Sequence, residues 1–114
     1  MGEVAFAAPI LPGKLETWQQ FNAELEGARH DGYVATRERH GITRERVWHQ
    51  ATPMGDFAIV HVQGPNAETM MPSMGASTDP FDVWFRDKVK EIHGLDMTQP
   101  PPGPPPSLVH EYGS

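Results

Sequence analysis

Between Thr43 and Gln63 two extended runs flank Pro53-Met54-Gly55-Asp56, a turn signature of the hairpin kind. A hairpin constrains this chain more than any other feature. It fixes an antiparallel pair and, through the two-residue side-chain period, two sheet faces. With Pro53 opposite Asp56, His49 faces Val60, Val47 faces Val62 and Trp48 faces His61. One face then carries Val47, His49, Ala51, Ala58, Val60 and Val62. The other carries Arg46, Trp48, Gln50, Phe57, Ile59, His61 and Gln63.

The flanking segments supply the remaining elements. VAFAAPI, residues 4 to 10, reads as a short strand that exits through Leu11-Pro12-Gly13, with Pro9 fraying its end. After Lys14 the apolar period changes: Leu15, Trp18, Phe21, Leu25 and Ala28 recur at three and four, the stripe of an amphipathic helix. That helix can run to His40, where Gly41 supplies a left-handed stop, although Gly27 and Gly32 weaken it from inside. Gly64-Pro65-Asn66 opens a Met-rich helical segment to about Met74, limited by Pro72. Asp79 then reads as an N-cap and Pro80 as the first position of a helix striped by Phe81, Trp84, Phe85, Val89 and Ile92, stopped by Gly94. QPPPGPPPS, residues 99 to 107, has to be extended, as a polyproline II strap. Behind it LVHEY, residues 108 to 112, reads as a last strand.

The order strand, helix, strand, strand, helix, strand predicts an α+β fold, the ferredoxin-like βαββαβ with a four-stranded antiparallel sheet. At 114 residues this is a single domain, residues 1 to 114, with the 99 to 107 strap inside it. The helices cover one sheet face. The other holds Trp48, Phe57 and Ile59 beside Arg46 and Gln63, too apolar to stay wholly wet, and a homodimer through that face is expected.

Composition narrows the functions. Nine Lys and Arg against fifteen Asp and Glu give a formal charge of −6, a field that repels phosphate backbones and argues against nucleic acid. With no cysteine there is no disulfide, thiolate metal site or cysteine nucleophile, which fits a reducing, cytoplasmic setting. No stretch approaches the roughly 20 apolar residues of a membrane span.

Residues 41 to 63, GITRERVWHQATPMGDFAIVHVQ, resemble the central hairpin of small bacterial members of the dimeric α/β-barrel superfamily, in which two ferredoxin-like subunits pack sheet against sheet. The resemblance implies a ligand pocket between helices and sheet. It admits cofactor-free monooxygenases, isomerases, lactone-forming or lactone-opening enzymes, haem-binding and haem-degrading proteins. The Asn, Trp and His set of the haem-degrading branch is not matched, because Trp48 is present but VAFAAPI carries no asparagine.

Six histidines supply the groups that titrate near neutrality. His49 interrupts an aliphatic, helix-facing strand face, so its imidazole can move a proton on a small organic ligand enclosed by Tyr33, Phe85, Met70, Met71 and Met74. The plainer reading is a hydrogen-bonded core histidine. His61, opposite Trp48, is a second catalytic candidate or an interface residue. His40 and His93 each fall in a last helical turn, where a cation complements the dipole. No HxxxH, HxH or HExxH spacing, GxSxG, P-loop or GxGxxG occurs, so neither metal nor nucleotide cofactor is indicated.

TRER occurs twice, at Thr36 to Arg39 and Thr43 to Arg46. The first copy lies at a helix end and the second on a strand, where Arg44 and Arg46 share a face and Glu45 takes the other. Ion pairing explains all four arginines. The sharper possibility is Arg46, beside Trp48 and Gln63, holding an anionic ligand group. The expected function is therefore a small-molecule-binding protein and cofactor-independent enzyme of isomerase, lyase or monooxygenase type. The alternatives are haem or small-ligand binding without turnover, through His49 or His61, and a structural role without activity.

Overall fold

The computed structural model describes residues 2 to 101 and 103 to 113. Along the chain lie β1 (Gly2–Ile10), α1 (Leu15–Glu26), α2 (His30–Arg39), β2 (Arg44–Thr52), β3 (Gly55–Gly64), a 3-10 turn (Ala67–Thr69), α3 (Met70–Ala76) and α4 (Pro80–His93). The sheet is antiparallel with three strands in the order β1-β3-β2. This overturns the four-stranded ferredoxin-like βαββαβ arrangement, and with it the dimeric barrel built from such sheets.

The missing strand is LVHEY. Residues 108 to 112 form no strand and are exposed, with Val109 at 92% and Tyr112 at 97%. Two causes act together. The preceding prolines have no N–H to give a ladder. Strict alternation also places Glu111 on the same side as Val109, so neither side of the segment is a clean apolar face. Pro102, within the expected strap, lies outside the described residues.

The long helix expected from Leu15 to His40 is two helices. The break falls at Gly27, whose N–H donates to the Glu24 carbonyl at 3.2 Å, and the Arg29 N–H reaches the same carbonyl at 2.8 Å. Ala28 leaves the apolar stripe there and is exposed. α1 keeps Trp18, Phe21 and Leu25 buried. α2 begins with a new phase, and its inward positions become Tyr33, Thr36, Arg37 and His40, the i, i+3, i+4, i+7 set. Gly32 allows the close approach of α2 to α4, because a β-carbon there would lie 2.8 Å from Cδ2 of Phe81. α4 follows the sequence reading. Asp79 accepts from the Phe81 N–H at 2.9 Å, Pro80 occupies the first turn, and Gly94 ends the helix at φ 72°.

The hairpin turns one residue earlier than expected. Thr52 pairs with Gly55 around Pro53-Met54, so His49 pairs with Ala58, Val47 with Val60 and Trp48 with Ile59. The Thr52 hydroxyl explains the choice: it accepts from the Met54 N–H at 3.1 Å and donates to the Gly55 carbonyl at 2.7 Å. Partners shift by two positions, an even number, so each side chain stays on the face first assigned to it.

β1 adds Val4, Phe6, Ala8 and Ile10 to the face shared by Ala58, Val60 and Val62. This face packs on Trp18, Phe21, Leu25, Phe85, Val89 and Ile92 to form the core. The helices cover β1 and β3 more fully than β2, where Val47 remains 42% exposed. No described helix is long and apolar enough to cross a membrane.

Candidate functional site

Because β2 overhangs the helices, a cavity of about 580 Å³ opens beneath it, between the inner sheet face and the helical layer. Phe6, Trp18, Phe21, Val60, Met71 and Phe85 give it an apolar wall. Polar side chains enter it at two places on β2, from Glu45 and from His49. The two are four residue steps apart on the strand, roughly 14 Å along the backbone.

At the first place α2 presents Tyr33 and Arg37 one helical turn apart. The Tyr33 hydroxyl and the Arg37 Nε both donate to Oε1 of Glu45, each at 2.6 Å. The ion pair is enclosed, with the two side chains 7% and 10% exposed. Arg37 also stacks its guanidinium over the Tyr33 and Phe85 rings, 4.8 Å from each centroid. Its Nη1 reaches the Met74 sulfur at 3.9 Å. Its Nη2 is buried and has no hydrogen-bond partner among the described residues. Burial, and then the charge of Glu45, push the Tyr33 phenol up, so it remains a donor rather than a base.

His49 forms the second place, at the rim. Its Nε2 lies 2.8 Å from Oδ1 of Asp56, and its ring tilts against Trp18 with centroids 5.4 Å apart. When Nε2 donates to that carboxylate, Nδ1 keeps its lone pair and can take a proton. His93 also lines the cavity. Its Nδ1 is 2.7 Å from the Pro9 carbonyl, an acceptor, so Nδ1 carries the hydrogen. Burial pulls the His93 pKa down and keeps the ring neutral.

Of the residues singled out from sequence, Tyr33, His49, Met70, Met71 and Phe85 come together around this cavity. The candidates Arg46, Trp48, His61 and Gln63 occupy the opposite sheet face. There His61 Nε2 meets Glu3 at 2.6 Å, Gln63 donates to the same carboxylate at 3.2 Å, and Arg46 lies over the Trp48 ring at 4.8 Å. His61, Arg46, Trp48 and Gln63 therefore belong to one surface and His49 to another.

Arg37, Glu45 and His93 were not anticipated as site residues. The signal for Arg37 lay in the polar stripe Tyr33, Thr36, Arg37, His40, visible only once α2 is separated from α1. The two TRER copies meet in the fold, with Arg37 of the first bound to Glu45 of the second. His40 also has an inward partner, Oδ2 of the buried Asp82 at 3.0 Å, rather than a helix dipole alone. Asp82 accepts as well from Thr36, from Ser77 at 2.6 Å and from Arg39 at 3.3 Å. This cluster ties α2 to α4. Among the described residues no group of three or more His, Asp or Glu side chains is placed to hold a metal ion.

The chain matches no family model, no curated protein and no solved structure in the comparisons made. The likeness of residues 41 to 63 to a dimeric α/β-barrel hairpin rests on that segment's sequence alone.

Proposed function

We propose that this protein binds a small, largely apolar organic molecule in the cavity beneath β2 and acts on it without a cofactor. The chemistry is proton transfer by His49, oriented by Asp56, in a reaction of isomerase, lyase or monooxygenase type. One observation carries this reading: an apolar cavity of about 580 Å³, within the size range of small-molecule sites, ends at a His-Asp pair 2.8 Å apart. The cysteine-free composition supports a reducing, cytoplasmic setting. The open sheet face, with Trp48 44% exposed on β2 and Ala5 and Ala7 exposed on β1, supports pairing of two copies there.

The test is hydrogen exchange from bound ligands in D2O, followed by NMR over a panel of small ketones and lactones. Deuterium should enter the carbon next to the carbonyl with the native protein and not with His49→Ala. Ligands that bind without exchanging, or that exchange equally with His49→Ala, would defeat the catalytic part. A Soret band on adding haem would transfer the reading to haem binding.

A further inference from the structure

We infer that the ligand presents a neutral acceptor oxygen, a carbonyl rather than a carboxylate, to Nη2 of Arg37. This rests on the proposal that the cavity binds a small organic molecule, and it names the chemical class. Arg37 is 6% exposed and lines the cavity. Nε is taken by Glu45 at 2.6 Å, Nη1 turns to the Met74 sulfur at 3.9 Å, and Nη2 has no partner among the described residues. A buried, charged donor with no acceptor favours any ligand that brings one. The rings of Tyr33 and Phe85, each 4.8 Å from the guanidinium carbon, hold the plane of the group and so the direction of that donor.

Charge then selects among acceptors. Glu45 already matches the Arg37 charge, and Glu26 also lines the cavity, with Asp56 at its rim beside His49. Of the histidines that line the cavity, buried His93 is held neutral, and His49 already faces the Asp56 carboxylate. A carboxylate at Nη2 would lose its hydration and sit close to Glu45 without a cation of its own. A carbonyl oxygen accepts the same hydrogen bond and brings no charge. The apolar wall then receives the rest of the molecule.

Three probes of one skeleton separate the possibilities: 2-acetonaphthone, 2-naphthoate and 2-methylnaphthalene, titrated while the Trp18 indole N–H is followed by NMR. The ketone should bind about 10-fold more tightly than 2-methylnaphthalene, the difference one charge-assisted hydrogen bond provides, and more tightly than the naphthoate at pH 8. Arg37→Met combined with Glu45→Met, which removes the pair as a unit, should cost the ketone that advantage over 2-methylnaphthalene. Glu45→Gln keeps the Tyr33 and Arg37 donors while removing the repelling charge, and should raise naphthoate affinity. The inference is overturned if naphthoate binds as well as the ketone, or if Glu45→Gln leaves the ratio unchanged. If 2-methylnaphthalene also fails to bind, the cavity reading itself falls and this inference falls with it. Binding of 2-methylnaphthalene without preference for the ketone defeats this inference alone.

Discussion

Arg37 and Glu45 approach to 2.6 Å between Nε and Oε1 and join the inward face of α2 to β2 inside the protein. Such a pair stabilises little by forming, because both charges lose water. Removing one partner is costly because it strands the other. Glu45→Leu should therefore lower stability by about 3 kcal/mol, while Arg37→Met with Glu45→Leu should cost less than either single change. Urea unfolding of the four proteins in a double-mutant cycle measures the coupling. Additive losses would show that the pair is not enclosed as described.

Asp82 is wholly buried among Thr36, Arg39, His40 and Ser77. Burial alone would raise its pKa, but the hydrogen bonds from Ser77, Thr36, His40 and Arg39 outweigh burial and hold it at about 2. A carboxyl depressed below its unfolded value contributes stability above about pH 4, and that contribution is lost as the pH falls towards 2. The loss should be about 2 kcal/mol. It should disappear in Asp82→Asn, which is less stable at pH 7 and less sensitive to acid over that interval. Denaturant midpoints between pH 5 and pH 2 provide the comparison.

Gly75 in α3 lies against the backbone of Met97, and a β-carbon added there would overlap the Met97 carbonyl oxygen. Backbone cannot yield as a side chain end can. Gly75→Ala should cost about 1–3 kcal/mol, as overpacked sites do. Gly103→Ala, with open space around it, should leave the melting temperature unchanged.

Residues 103 to 113 are exposed throughout. Ending the chain after Gln99 should therefore shift the melting temperature by no more than about 1 °C, and should leave probe binding in the cavity intact. A large loss of stability would mean that the final segment is paired after all, in its own sheet or in another copy's.

These outcomes bear on how far the residues foretold the fold. The hairpin, α4 with its Asp79 cap and Gly94 stop, and the inward placing of His49 all followed from local chemistry: turn residues, caps and a period of two. What failed depended on competition between distant segments. LVHEY is a plausible strand by composition, yet composition does not say whether a sheet edge will receive it. The polar stripe on α2 was hidden because a continuous helix through Gly27 rotates Tyr33 and Arg37 to other angles. The division of Arg46, Trp48 and His61 from His49 was legible, since face assignment survives an even slip of register.

The strand order β1-β3-β2 has a consequence for the order of events in folding. β2 and β3 zip from a turn between Thr52 and Gly55, whereas β1 must bring Ile10 back to Asp56 and Gly2 back to Gly64. Contacts closed by a short loop form early, and those that join segments far apart in the chain form late. The wall that Phe6 provides to the cavity therefore arrives with the slow step. A ligand held there would lengthen the lifetime of the native state without hastening its formation.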